Sequence, residues 1–276
     1  MTPLISANQL EEIINSGEDL LLCDCRFDLV DMHAGRKSYE ESHIPGAIYV
    51  DLDKDLSGAK NGANGRHPLP NPELWAQTKA RLGINPNTLV VAYDNQGSTY
   101  ASRLWWMLKA TGHANVRVLD GGLDAWNGPM GTIPREPTPC SQAIGVMPYA
   151  GLVPVDEVVS SLNSQKYKIV DARAEDRFHG QNETLDPIGG HIPGSMNRFF
   201  KNNLNKTAFK TPEQLFKEFS ECLGPIKASE VIHSCGSGVS ACHNLLAMEL
   251  AGFKGSRLYA GSWSEWCADP QRPIEL

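Results

Sequence analysis

Short apolar runs that alternate with amphipathic stretches dominate the hydrophobic pattern of this chain. The runs predict buried strands over residues 20–23, 48–50, 89–93, 116–119 and 231–234. A capping box at Ser6–Gln9 and apolar positions at helical spacing predict a helix near the start and further helices over residues 102–110 and 245–250. Strands that alternate with helices are typical of parallel sheets covered by helices on both faces. The pattern therefore predicts an α/β fold, in which ligands bind beyond the carboxyl ends of the strands.

A set of short motifs occurs twice along the chain in the same order. Repetition of several motifs together indicates duplication of a whole fold rather than a chance similarity of composition. The repeated pairs are Leu22-Cys23-Asp24-Cys25-Arg26 with Ile169-Val170-Asp171-Ala172-Arg173, His43-Ile44-Pro45-Gly46-Ala47 with His191-Ile192-Pro193-Gly194-Ser195, and Val91-Ala92-Tyr93-Asp94 with Ile232-His233-Ser234-Cys235.

The duplication predicts two tandem domains, over residues 1–128 and 151–276. Residues 129–150 between them are predicted to form a linker. The first part of this segment is rich in proline and glycine, a composition that suits a semi-rigid connection. We therefore expect two α/β domains, each with its own parallel sheet.

The composition argues against several classes of function. A net charge of −7 argues against nucleic acid or an anionic membrane as the main partner. The first residues lack a basic segment followed by an apolar core, and no apolar run is long enough to span a bilayer, so a cytoplasmic location is predicted. The seven cysteines include no Cys-x-x-Cys pair, which favours reduced thiols over disulfides or a zinc site. Because no histidine pair has metal spacing and no Gly-rich loop is of the nucleotide type, neither a metal nor an organic cofactor is expected.

Cys235 lies at the predicted turn between a strand and a helix, a position that favours sulfur chemistry. Gly236 and Gly238 allow backbone angles that turn successive amide N–H groups inward, and this geometry cradles an anion. Ser240 is predicted to cap the following helix, whose dipole favours a thiolate. The alternatives are an inert buried cysteine and a phosphatase nucleophile. A phosphatase needs an arginine where this chain has Ala241, so transfer of a sulfur atom fits better.

The first copy of the repeat differs from the second at this position. Asp94 stands where the second copy has Cys235. A carboxylate can accept hydrogen bonds from the N-terminus of a helix, but it cannot accept a sulfur atom. The first domain is therefore predicted to be catalytically silent and the second to be catalytic.

The duplicated Asp-x-Arg and His-Ile-Pro-Gly motifs and the Gly-containing loop resemble the tandem rhodanese sulfurtransferases over essentially the whole chain. Within that family, the loop is similar to that of the 3-mercaptopyruvate sulfurtransferases. Relatives that act on thiosulfate typically have basic residues directly after the cysteine. A neutral loop suits mercaptopyruvate, whose charge lies on a carboxylate several atoms from the sulfur, whereas thiosulfate is a dianion. The loop in question is Cys235-Gly236-Ser237-Gly238-Val239-Ser240-Ala241.

This resemblance implies a ping-pong sulfurtransferase. The Cys235 thiolate would take sulfur from 3-mercaptopyruvate, release pyruvate, and pass the persulfide to thioredoxin, to a low-molecular-weight thiol such as glutathione, or to cyanide. The amides of residues 236–240 would stabilise the persulfide anion. Two other functions stay open. One is the same transfer from thiosulfate, and the other is a persulfide carrier that receives sulfur from a partner without turnover of its own.

The resemblance also implies residues that bind the donor. Arg177 matches the family arginine that binds the donor carboxylate, although an arginine here also fits a solvated surface charge. The segment Thr184-Leu185-Asp186-Pro187 lacks a second arginine that some relatives have. Arg66 and Arg198 are the candidates to replace it.

Some members of the family have a serine, a histidine and an aspartate beside the cysteine. The matching candidates are Ser237, His67 and Asp53, which would form a catalytic set with Cys235. A histidine exchanges protons near neutral pH, so His67 could carry the proton that moves during sulfur transfer. The structural alternative is that His67 only braces a proline-rich turn.

Overall fold

A computed structural model describes residues 2–162, 164 and 166–276. The described chain divides into two compact units. Unit 1 contains the described residues up to Gly58 together with Pro70–Ala150 and Lys206–Ala208, and unit 2 contains Ala59–Leu69, Gly151–Asn205 and Phe209–Leu276.

The helices and strands alternate along most of each unit. In the first half of the chain the strands are β1 (Leu4–Ile5), β2 (Leu20–Asp24), β3 (Ile48–Tyr49), β4 (Leu89–Tyr93) and β5 (Val116–Leu119), and the helices are α1 (Ala7–Ser16), α2 (Ala34–Glu41), α3 (Pro72–Leu82) and α4 (Thr99–Ala110). In the second half the helices are α5 (Val155–Leu162), α6 (Glu175–Phe178), α7 (Pro212–Leu223), α8 (Ser240–Leu250) and α9 (Ser262–Trp266), and the strands are β6 (Lys168–Asp171), β7 (Met196–Asn197), β8 (Leu204–Asn205), β9 (Ala208–Phe209), β10 (Val231–Ser234) and β11 (Arg257–Leu258).

Each half of the chain builds a parallel sheet. The first sheet has the strand order β1-β5-β4-β2-β3 and the second has the order β11-β10-β6-β7. A strand that is buried on both faces must be apolar along its whole length, and all five residues of β4 are buried. The predicted α/β fold with parallel sheets is confirmed.

Local sequence signals account for where several helices begin and end. The predicted capping box at the start of α1 is present, because Ser6 Oγ accepts from the Gln9 amide and the Gln9 side chain accepts from the Ser6 amide. Gly17 then ends α1 in the left-handed conformation that glycine tolerates. No helix in the described part of the chain combines the length and apolarity needed to cross a bilayer.

Two segments group with units other than those expected from the duplication. Residues 59–69 belong to unit 2, where the Arg66 amide donates to Ser264 Oγ at 3.0 Å. Residues 129–150 belong to unit 1, where Gly131 and His43 exchange both backbone hydrogen bonds. These contacts are long-range and leave no local trace in the sequence. The domain boundaries 1–128, 129–150 and 151–276 stay a prediction.

Candidate active site

The loop between β10 and α8 holds Cys235 at the carboxyl end of a central strand of the unit 2 sheet. The side chain is buried, with 1% of the residue exposed. The Gly238 amide donates to Cys235 Sγ at 3.1 Å, and the Cys235 amide donates to Ser262 Oγ at 3.0 Å. A backbone N–H aimed at sulfur stabilises negative charge there, as it does in other anion sites. The loop therefore presents a dipole to the atom that would carry the transferred sulfur.

Gly238 owes its place in this loop to its backbone conformation. Its φ is +75°, and a Cβ at this position would collide with the backbone of Ala260. Only glycine fits both conditions. The predicted cap at the start of α8 is wrong, however, because the N-cap is Val239, which makes no side-chain cap bond, and Ser240 is the first helical residue.

Three arginines approach the loop at residue 236. A Cβ built on Gly236 would lie 2.7 Å from Arg66 Nη2, 3.6 Å from Arg177 Nη2 and 3.9 Å from Arg173 Cδ. The cations that the loop sequence lacks are therefore supplied by two other segments of unit 2, the loop of Arg66 and the stretch after β6 that holds Arg173 and Arg177. The structure brings the predicted Arg177 and Arg66 together here.

Arg173 was not among the predicted site residues. It is buried, pairs with Asp171 at 2.7 Å, donates to the Gly190 carbonyl oxygen and lies over the Trp263 ring. Burial opposes its charge, but Asp171 raises the pKa of the guanidinium above its usual value. The only signal in the sequence was the Asp-x-Arg motif. Because that motif occurs in both halves, it gave no reason to assign Arg173 to a site in one of them.

Two buried carboxylates hold the arginines in place. Arg177 Nη2 lies 2.8 Å from Glu183 Oε1, and Asp186 forms an ion pair with Arg66. The side chains of Glu183 and Asp186 are only 4% and 3% exposed. Burial by itself would raise the pKa of Glu183, but the Leu185 amide and Arg177 lower it below its usual value. Sequence reasoning missed both carboxylates as site residues.

His67 and Ser237 form a hydrogen-bonded pair within unit 2. His67 Nδ1 lies 2.8 Å from Ser237 Oγ, and both residues are buried. An imidazole nitrogen in this position can accept the hydroxyl proton or donate its own. Asp53 belongs to unit 1, where its amide donates to Asp51 Oδ1 at 2.9 Å, and its place beside His67 stays a prediction.

Arg198 contacts a different part of unit 2. Its guanidinium donates to Glu218 Oε2 at 2.7 Å and to Asn203 Oδ1 at 3.0 Å, and it lies over the Phe219 ring. These contacts connect Arg198 with α7 and not with the arginines around residue 236. Of the two candidates for a second donor-binding arginine, Arg66 is the one that lies at the loop.

Within the described residues, no group of three or more His, Cys, Asp or Glu side chains could hold a metal ion.

Comparisons with known proteins give the family. The model of the rhodanese-like domain matches residues 6–129 and 154–269. A Pseudomonas aeruginosa protein named "probable 3-mercaptopyruvate sulfurtransferase" is 42% identical over 98% of this chain and 97% of its own length. The thiosulfate sulfurtransferase of Cricetulus griseus is 34% identical over 95% of this chain and 91% of its own length.

A solved structure extends the similarity to the fold. The 3-mercaptopyruvate sulfurtransferase of Leishmania major superposes with a TM-score of 0.86 and 26% identity, covering 99% of this chain and 76% of its own. The two parallel sheets and the two matches of the domain model agree on duplication. The chain belongs to the rhodanese family and carries two rhodanese-like domains.

Proposed function

We propose that this protein is a sulfurtransferase that moves sulfur from 3-mercaptopyruvate through a persulfide on Cys235 to a thiol or to cyanide. The observation that supports this most directly is the Gly238 amide aimed at Cys235 Sγ beside three arginines. Unit 2 thus combines a nucleophile, a hydrogen-bond donor that stabilises its negative charge, and cations that can bind an anionic substrate. The choice of 3-mercaptopyruvate as the donor is supported by relatives that are named for this substrate.

The first half of the reaction transfers sulfur to the protein. Arg177 and Arg66 bind the donor carboxylate, and the Cys235 thiolate attacks the donor sulfur. The carbon–sulfur bond breaks, and its electron pair forms the enolate of pyruvate. The proton of the donor thiol moves to the enolate carbon, and the His67–Ser237 pair is placed to carry it. The products are pyruvate and a Cys235 persulfide anion, whose charge the loop amides stabilise.

The second half removes the sulfur. A thiolate or cyanide attacks the outer sulfur of the persulfide, the sulfur–sulfur bond breaks, and its electron pair returns to Cys235 as thiolate. The product is a persulfide of the acceptor thiol, or thiocyanate. The proposed physiological acceptor is thioredoxin or a low-molecular-weight thiol. The cytoplasmic location belongs to the same proposal.

Thiosulfate is the second candidate donor, and the arginines favour it. The neutral loop argued against a dianion, yet Arg66, Arg173 and Arg177 bring positive charge to residue 236 from outside the loop. Transfer from thiosulfate releases sulfite and needs no proton to move. The catalytic efficiencies with the two donors and one acceptor decide between them, and a preference for thiosulfate would contradict our choice.

Intact mass measured after incubation with 3-mercaptopyruvate tests the proposal. We expect a gain of one sulfur atom, located on the Cys235 peptide, with pyruvate released in equal amount. Cys235→Ser should gain none. The matched control is Cys242→Ser, since Cys242 is also buried but donates to the Gly238 carbonyl oxygen at 3.3 Å. Sulfur uptake from a partner protein without pyruvate release would instead support a persulfide carrier, and a gain on another cysteine would contradict both.

A further inference from the structure

The ion pairs beside Cys235 balance one another in charge. Each positive side chain near residue 236 contacts at least one buried carboxylate of unit 2. The contacts join Arg173 to Asp171 and Glu183, Arg177 to Glu183 and Asp186, and Arg66 to Asp186. Three cations and three anions therefore have a formal sum of zero before the thiolate is counted.

Asp186 occupies a special place in this group. It forms the ion pair with Arg66, and its Oδ2 lies 3.7 Å from Arg177 Nη2, so it faces both proposed donor-binding arginines. Within the described residues, Asp186 Oδ2 is buried without a hydrogen-bond partner. A buried carboxylate oxygen with an unused acceptor is costly and calls for an explanation. Asp186 would balance the charge of the two arginines when no donor is bound between them, and this role explains why the carboxylate is buried there.

We propose that Asp186 determines donor specificity by cancelling part of the positive charge of Arg66 and Arg177, which disfavours a dianionic donor more than a singly charged one. This inference rests on the proposed function. A donor anion that binds beside a thiolate in a charge-balanced site gains little electrostatic attraction from the arginines. The attraction that it loses to this balance grows with the negative charge of the donor. A carboxylate with one charge loses half as much as thiosulfate with two.

The Asp186→Asn variant tests this argument, because it keeps the shape of the side chain and leaves one net positive charge. Each negative charge on the donor then gains the same amount of attraction to the site. Because thiosulfate has two such charges and 3-mercaptopyruvate has one, the factor gained in kcat/KM for thiosulfate should be about the square of the factor for 3-mercaptopyruvate. We expect increases of about tenfold and about threefold, with cyanide as the acceptor at low ionic strength. Both gains should shrink in high salt.

Three further variants separate charge from damage to the structure. Asp186→Glu keeps the charge and should keep the ratio of the two efficiencies. Arg66→Gln removes one positive charge and should lower the ratio of kcat/KM for thiosulfate to that for 3-mercaptopyruvate by about threefold, whereas Asp186→Asn should raise it. Glu157→Gln is the matched control, since Glu157 pairs with Arg257 elsewhere in unit 2 and should leave the ratio unchanged. If Asp186→Asn and Arg66→Gln move the ratio in the same direction, or if both donors change by one factor, the inference is wrong.

A binding measurement separates failure of this inference from failure of the proposed function. The readout is the rate at which iodoacetamide alkylates Cys235, which we expect bound anions to slow. In Asp186→Asn, sulfate should protect Cys235 at about tenfold lower concentration, and acetate at about threefold lower concentration. If neither donor is turned over but this pattern holds, the proposed function fails, whereas the cancellation of arginine charge by Asp186 stands. Equal shifts for the two anions would overturn the role of Asp186 even in an active enzyme.

Discussion

The loops after β4 and after β10 are copies of one strand–loop–helix element, yet their backbone amides serve different acceptors. After β4, the carboxylate of Asp94 accepts from the amides of Gln96, Ser98, Tyr100 and Ala101, at 2.8–3.0 Å. After β10, the amide of Gly238 donates to the sulfur of Cys235. The first loop satisfies its amides with its own side chain, whereas the second offers one to an atom that can change its bonds.

The arginines divide in the same way. Arg26 in unit 1 contacts Asp24 and the Ser42 carbonyl oxygen, as Arg173 in unit 2 contacts Asp171 and the Gly190 carbonyl oxygen. This arrangement is common to both copies and holds the element together. Arg177 has no such equivalent, because the residue four positions after Arg26 is the exposed Val30. The comparison teaches that the proposed chemistry depends on a few residues specific to unit 2, placed on a scaffold that both units share.

The largest effect should come from the cysteine itself. Cys235→Ser should lower transfer from 3-mercaptopyruvate by at least about 10³-fold, as loss of a nucleophile does in other enzymes. Adding Asp94→Cys to that variant should restore nothing, because a thiol at this position lacks the equivalent of Arg177. Pyruvate release measures both variants. Measurable recovery in the double variant would contradict this expectation, because it would mean that the unit 1 loop needs only a thiol to become active.

Removal of the Asp94 carboxylate should instead affect stability. Asp94→Ala leaves four amides, three of them in buried residues, without this acceptor and should lower the free energy of unfolding by about 3 kcal/mol. Urea unfolding at pH 7 measures this loss. Asp94→Asn keeps one acceptor oxygen and should lose less. A change below about 0.5 kcal/mol would show that these amides find other partners.

Acid should weaken the strand that precedes Cys235. His233 replaces Ala92 of unit 1, and complete burial lowers its pKa from 6.5 to about 3. Between these values the unfolded chain binds a proton that the folded chain does not, so stability is full above about pH 6.5 and falls as the pH drops towards 3. The loss should reach about 2 kcal/mol at pH 5. Urea unfolding of His233→Gln at pH 7 and 5 should lack this part of the slope, and an unchanged slope would contradict the assignment.

The smallest effect should separate the two donors. Ser237→Ala removes a hydrogen-bond partner of His67 and should lower kcat/KM for 3-mercaptopyruvate by about tenfold, because that donor needs a proton moved. Thiosulfate needs none, so its efficiency should change by less than about twofold. Parallel assays with cyanide as the acceptor make the comparison. Equal losses for both donors would assign Ser237 to positioning of the loop and not to proton transfer.

Most of the fold could be predicted from the sequence, because its causes are local. An apolar run of five residues marked β4, shorter groups of apolar residues marked β5 and β10, and the Ser6–Gln9 pair marked the start of α1. The exchange of Asp94 for Cys235 was visible because residues 91–94 align with residues 232–235 without a gap. The cap of α8 was mispredicted because Val239 is already in the right-handed helical region, which places Ser240 inside the first turn.

The missed features of the site depend on contacts between distant segments. Asp186 and Arg66 are 120 residues apart, and neither carries a local sign that the other will neutralise it. The loop that holds Arg66 and His67 has the glycine and proline content of an exposed turn, although His67 is buried. Pairing of this kind is decided by tertiary packing, to which propensity and periodicity are blind.

The bare backbone at residue 236 limits how donor choice can be re-engineered. A side chain there would begin 2.7 Å from Arg66 Nη2, so a lysine placed next to the cysteine must displace the end of the Arg66 side chain. A basic residue directly after the cysteine and the present position of the Arg66 guanidinium therefore compete for the same volume. A change of sulfur donor that introduces a basic residue at position 236 therefore has to accommodate a new position of the Arg66 guanidinium.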